Sequence, residues 1–221
     1  MKFKEVPTID RAGWLQWRHK GIGSSDVPVI LGTSRFKKRD ELILEKAGIC
    51  QEENDDNKYI KDRGNRIETL VRTMLEHKMG TTLNPLSVEM INFPFIRASL
   101  DGITPDRKMF TEIKLLSSQK PDKVNKNAEG YIKWENARKG EVPKEYMPQI
   151  QHQLFVTGAP VCLFLGYREV LGQISTFKDN VAMVEVTPDS NYIKLMIDEE
   201  CKFWYDVEVK RDELNYKGEL E

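Results

Sequence analysis

The chain changes period near its centre, and that switch constrains the fold more than any other feature. From residue 59 to 79 the apolar side chains Ile60, Ile67, Leu70, Val71, Met74 and Leu75 recur at helical spacing. Beyond them LSVEMINF, FIRASLDGI and MFTEIKLL (86–93, 95–103 and 109–116) read as strands. A tight turn at Thr104-Pro105-Asp106-Arg107 joins the last two. Helix, antiparallel strands, helix and strand make a mixed α/β layer. The expectation is an α/β (α+β) chain with a central mixed β-sheet flanked by helices.

The flanking segments fit that scheme. IDRAGWLQWRHKG is a short helix before the turn Gly21-Ile22-Gly23, and SSDVPVILG is a second helix that Ser24 or Ser25 can cap. DELILEKAG is a further helix, and QEENDDNK a polar loop. Residues 117–140 are basic and loop-like. KEYMPQIQHQLFVTG is then a helix, VCLFLGY and VAMVEV are strands, and residues 190–209 form a final amphipathic helix. A chain of 221 residues can bury one core, so residues 1–221 are read as a single domain.

Lys plus Arg total 34 against 35 acidic residues. That balance neither implies nor excludes nucleic acid, since clustering decides binding. Cys50, Cys162 and Cys201 are far apart, without zinc-like spacing, and an odd count suits a reducing compartment. The opening MKFKEVPTIDRAGW lacks a signal-type apolar run, and no run of about 18 apolar residues exists. The expected location is the cytoplasm, away from any membrane.

Residues two apart in a strand share a face, so Glu112 and Lys114 point one way while Ile113 and Leu115 point the other. Asp101, eleven residues earlier, lies in the strand paired across the turn. The pairing can bring its carboxylate beside that of Glu112. Two converging carboxylates suit a hard cation such as Mg²⁺, and a neighbouring lysine can position and deprotonate a metal-bound water. Charged residues on a strand are more often a solvated face with cross-strand ion pairs. Here both strands are otherwise apolar, Gly102 gives a bend at the site, and Glu68 lies at the margin of the preceding helix's apolar stripe.

These segments resemble the YqaJ-type viral recombinase family, which contains the phage lambda exonuclease and belongs to the PD-(D/E)xK nucleases. WRHKGIGSSDVPVILGTSRF, RGNRIE, SLDGI with TEIK, and EYMPQIQHQLFVTG follow in the family's order, over about two thirds of the chain. The resemblance implies a restriction-endonuclease-like core. It also implies an Mg²⁺-dependent hydrolase, Mn²⁺ being an alternative and two ions per site being expected. Such an enzyme degrades the 5′ strand of linear duplex DNA to mononucleotides, leaving a 3′ overhang for recombination by strand annealing. Asp101, Glu112, Glu68 and the Ile113 carbonyl would be ligands, and Lys114 would help activate the water. The family's proline before the first aspartate is absent, Ser99-Leu100 standing there instead. That proline plays no chemical part.

By the same resemblance Arg18 and Ser25, with Ser24 beside them, match a 5′-phosphate pocket. A helix N-terminus, a hydroxyl and a guanidinium suit an anion. Ordinary capping by the serines and a solvated Arg18 are the plainer readings. Tyr146, Gln149 and Gln153 share one helical face, and a tyrosine and glutamines of the family's helix belong to the site. Tyr146 and Gln149 are preferred for that role, with Gln151, on the other flank, as second choice. Lys120, Lys123, Lys126, Lys133, Arg138 and Lys139 either track the duplex backbone or merely keep a loop soluble. His19, His77 and His152 have no metal-like spacing, and Trp14 and Trp17 read as packing residues. The family further implies a single-strand annealing partner and a homotrimeric ring. The rival readings are an endonuclease or Cas4-like nuclease of the same fold, and a DNA-end-binding module without catalysis. The lack of clustered cysteines speaks against an iron–sulfur version.

Overall fold

A computed structural model describes residues 3–7, 10–49 and 58–218 of the chain. Six strands, β1 (Phe3–Glu5), β2 (Asn84–Met90), β3 (Arg97–Ile103), β4 (Met109–Gln119), β5 (Val161–Val170) and β6 (Val181–Val186), form one sheet in that order. Every neighbouring pair is antiparallel except β4 and β5. A parallel pair needs a crossover and is covered on both faces, which explains why β5 opens with the unbroken apolar run Val161–Leu165.

Eight helices flank the sheet among the described residues: α1 (Arg11–His19), α2 (Val27–Ile30), α3 (Arg39–Ala47), α4 (Lys58–Met79), α5 (Glu129–Arg138), α6 (Met147–Thr157), α7 (Phe177–Asn180) and α8 (Ser190–Lys217). Strand alternation divides the core. Phe110 and Leu116 of β4, with Cys162 and Phe164 of β5, pack beneath Trp134 of α5 and Ile150 and Leu154 of α6. Ile113, Leu163 and Leu165 face the other way, onto Ile67, Val71 and Leu75 of α4. A third cluster joins α2 and α3 to Phe203, Trp204 and Val207 of α8. The two layers are thus set by alternating residues of β4 and β5.

Several boundaries depart from the sequence reading. The stretch read as a loop, 117–140, contains the last residues of β4 and all of α5. That helix buries Tyr131, Trp134 and Ala137, at three-residue spacing that the surrounding lysines obscure. SSDVPVILG is not one helix but a 3₁₀ turn, Ser24–Asp26, running into the four-residue α2. β1 is too short to show a period, and α8 continues to Lys217. Residues 51–57 of the expected polar loop, and Cys50, lie outside the described residues. No described helix is long and apolar enough to cross a membrane.

Candidate active site

The β3–β4 ladder pairs Ile103 with Phe110 and Gly102 with Thr111, and no further pair follows. Continuing that register sets Asp101 opposite Glu112, where the ladder has ended. The Asp101 carboxylate fills the gap, Oδ2 accepting the Ile113 backbone N–H at 2.7 Å. Arg72 of α4 donates to the Asp101 carbonyl at 2.8 Å. The ladder thus gives way to side-chain bonds where the carboxylates stand.

Glu112 is fully buried. Its Oε1 accepts from Gln149 Nε2 at 2.7 Å and pairs with the Lys114 ammonium, while Oε2 accepts from Gln153 Nε2 at 2.7 Å. Lys114 lies 5.9 Å from the centre of the Tyr146 ring, which stacks on Phe164. Glu68 approaches from α4, and Glu68, Asp101 and Gln149 line one cleft of about 750 Å³. Asp101, Glu112, Lys114, Glu68, Tyr146 and Gln149 are therefore neighbours at this end of the cleft. Ile113 joins them through its backbone, its side chain lying in the core beneath α4.

Gln151 is not there. Its amide donates to the Thr187 carbonyl at 3.0 Å and accepts the Asp189 N–H at 2.9 Å, tying α6 to the chain after β6. Its place in the cluster is taken by Gln153, which the shared face with Tyr146 and Gln149 pointed to. Arg72, four residues after Glu68, was missed as well.

The charges conflict in a way that burial sharpens. Burial first, then the neighbouring Glu112 carboxylate, pushes the Asp101 pKa well above the ordinary aspartate range, and Lys114 opposes this only in part. Burial also raises Glu68, against the pull of Lys114. For Lys114 burial works downward, but Glu112 and Asp101 outweigh it and hold the ammonium charged. Tyr146 is raised by burial.

Three carboxylates thus face one close ammonium, an excess of negative charge that a divalent cation would neutralise. Asp101 and Glu112 are hard oxygen donors of the type such an ion prefers. Among the described residues no three His, Cys, Asp or Glu side chains are drawn together closely enough to cage an ion by themselves. The Lys114 ammonium occupies one oxygen of Glu112 that an ion would compete for.

The same cleft extends past Arg18, Ser24 and Ser25. An Arg18 guanidinium nitrogen donates to Ser25 Oγ at 2.8 Å and lies 4.0 Å from Asp26 Oδ1. Ser24 Oγ is buried with no hydrogen-bond partner among the described residues. Neither serine caps the turn; Asp26 Oδ2 accepts the Gly23 N–H at 2.8 Å instead. Asp26 also pairs with the buried Lys46 at 2.7 Å. Burial would raise the Asp26 pKa, yet Lys46 and Arg18 together lower it. Trp14 and Trp17 line this end of the cleft, their indole N–H groups donating to Ser99 Oγ and Glu89 Oε2.

Comparison with known proteins bears on the family and the fold. The profile of the YqaJ-like viral recombinase domain matches residues 13–160. The chain is 27% identical over 202 residues to the uncharacterized protein YqaJ of Bacillus subtilis (strain 168). That match covers 90% of this chain and 56% of the relative's length. An alkaline exonuclease, LHK-Exo, from Laribacter hongkongensis has the same fold, with a TM-score of 0.71 at 20% identity over 94% of this chain and 97% of that one. A phage-related exonuclease from Haemophilus somnus 129PT superposes with a TM-score of 0.54 at 16% identity, over 89% and 96%.

Proposed function

Because the chain belongs to the YqaJ-like viral recombinase domain family, we propose that it is a metal-dependent 5′→3′ exonuclease. Its substrate is linear double-stranded DNA bearing a 5′-phosphate, and its product a 3′ overhang for phage-type recombination in the host cytoplasm. The observation that carries this reading is the buried Glu112 carboxylate, bound by Lys114, Gln149 and Gln153 beside the high-pKa Asp101. A structural ion pair has no use for further carboxylates buried beside it, whereas metal-dependent phosphodiester hydrolysis does.

In this reading Asp101, Glu112 and the Ile113 carbonyl hold the ion, with Glu68 at the cleft side; Mg²⁺ is the expected ion and Mn²⁺ a substitute. When bound, it supplies Lewis-acid stabilisation of the phosphoryl oxygen and lowers the pKa of water. Lys114 places its ammonium where the attacking water and the phosphate oxygens meet, and Tyr146 walls that space. Gln149, at the cleft surface, is placed to reach substrate. Arg18, Ser24 and Ser25 take the terminal phosphate at the far end of the cleft. A single-strand annealing partner and a trimeric ring belong to the reading through family membership alone.

Purified protein would be incubated with Mg²⁺ and linear duplex carrying 5′-phosphate or 5′-hydroxyl ends, beside a closed circle and a Lys114→Ala variant. Mononucleotides from the phosphorylated linear DNA, an intact circle and a variant slower by about 10²–10⁴-fold are expected. Cutting of the circle would make the protein an endonuclease. Absence of cleavage with either Mg²⁺ or Mn²⁺ would leave only a DNA-end-binding role.

A further inference from the structure

Gln153 is fully buried, and it is bonded to both strands that carry the carboxylates. Its Nε2 donates to Glu112 Oε2 at 2.7 Å and to the Ser99 carbonyl of β3 at 3.2 Å. Those two acceptors fix the amide's orientation, because the flipped form would set its oxygen against two others. The cost is visible at the other end. Gln153 Oε1 is buried without a hydrogen-bond partner among the described residues. Leaving a buried acceptor without a partner costs about 1–3 kcal/mol, which the two bonds made by the same amide must offset.

The location explains what the amide does. The β3–β4 ladder stops at Gly102↔Thr111, so no main-chain bond holds the strands together where Asp101 and Glu112 stand. Gln153 spans that opening from above, one nitrogen touching both strands. Gln149, a turn earlier, grips the other Glu112 oxygen but also lines the open cleft. The buried amide can therefore keep Glu112 oriented while Gln149 turns toward substrate.

Building on the proposed nuclease site, we infer that Gln153 is a positioning residue that presets Glu112 for metal binding by bridging it to β3 across the end of the ladder. It touches neither ion nor DNA. Partners of this kind hold a ligating carboxylate in its productive orientation, and their loss weakens metal affinity about 10–100-fold.

The test compares wild type, Gln153→Met and Gln153→Asn for Mn²⁺ binding without DNA, followed by electron paramagnetic resonance of free Mn²⁺. Linear-duplex cleavage and thermal unfolding would be followed in parallel. Thr157→Val serves as a control, since among the described residues the Thr157 hydroxyl bonds only backbone of the same region, the Gln153 carbonyl and the Ala159 N–H. Both Gln153 variants should bind Mn²⁺ about 10–100-fold more weakly, with KM for DNA unchanged at saturating metal. Thr157→Val should lose stability without losing affinity. Gln153→Asn keeps a polar group in the site and covers the case in which Gln153→Met does not fold. Gln153 variants that unfold at lower temperature but bind Mn²⁺ like wild type would reduce the residue to a packing role. A wild type that binds no Mn²⁺ but variants and wild type alike that fold would overturn the metal reading itself.

Discussion

Arg18 is the residue whose surroundings say most about the substrate end. Its guanidinium meets Ser25 Oγ and stands 4.0 Å from Asp26, whose charge is already shared with Lys46. Donors remain for an anion, and the side chain is 38% exposed at the cleft. Arg18→Ala should lower kcat/KM on 5′-phosphorylated duplex about 10–100-fold, the worth of a hydrogen bond to a charged group. Activity on 5′-hydroxyl ends should stay where it is. Equal losses on both ends would remove Arg18 from phosphate recognition. Strand alternation was enough to set Glu112 beside Lys114, since side chains two apart share a face, and the turn at 104–107 brought the strand of Asp101 against them. The choice between Gln151 and Gln153 was not legible in that way. α6 buries both, along with Ile150, His152 and Leu154, so no polar stripe shows which flank meets the strands. The helical period sets Gln153 with Tyr146 and Gln149, and docking of the helix decides that this flank meets the strands.

At the scale of elements, α5 shows how a helix hides in a basic segment. It settles on β4 so closely that a Cβ at Gly130 would lie 2.1 Å from the Leu116 carbonyl oxygen. Gly130→Ala must push α5 away, an overpacking cost of about 1–3 kcal/mol. Thermal unfolding should shift down by about 2–4 °C per kcal/mol, and an unshifted midpoint would mean that the contact yields freely. The α6–α8 junction carries a second consequence. His152 lies fully buried between Glu200 of α8, at 2.8 Å, and the Arg97 carbonyl of β3, also at 2.8 Å. Burial works to lower the His152 pKa, but Glu200 outweighs it, so the folded value stands above 6.5. A raised folded pKa gives stability that is complete below the unfolded value of about 6.5 and lost as pH rises through the folded one. Urea unfolding should therefore show stability falling above about pH 6.5. Glu200→Gln should cancel that fall, since the buried imidazole then loses its reason to hold a proton. Matching slopes in the two proteins would show that His152 is neutral throughout.

On the proposed function, the whole molecule binds a polyanion with a formal charge of −1. That requires positive charge to be segregated, and the surface beyond β4 is one place where basic residues gather. Lys120, Lys123 and Lys126 are exposed, as are Arg138 and Lys139 at the end of α5, whereas Lys133 is drawn into pairs with Glu129 and Glu145. Whether this surface follows the duplex is read from the counterions it releases. Each phosphate neutralised releases counterions, so the logarithm of affinity falls with that of salt by about 0.9 per contact. Replacing Lys120, Lys123 and Lys126 together by alanine should weaken duplex binding and flatten the salt slope by about 1 for each lysine that meets a phosphate. Lys133→Ala should leave the slope unchanged, because its charge is already spent on two glutamates. Fluorescence anisotropy of a labelled duplex over a salt series, with Ca²⁺ in place of Mg²⁺, reads both values. A triple variant with wild-type slope would return these lysines to a solubilising role and confine DNA contact to the cleft between α1, α4 and β3.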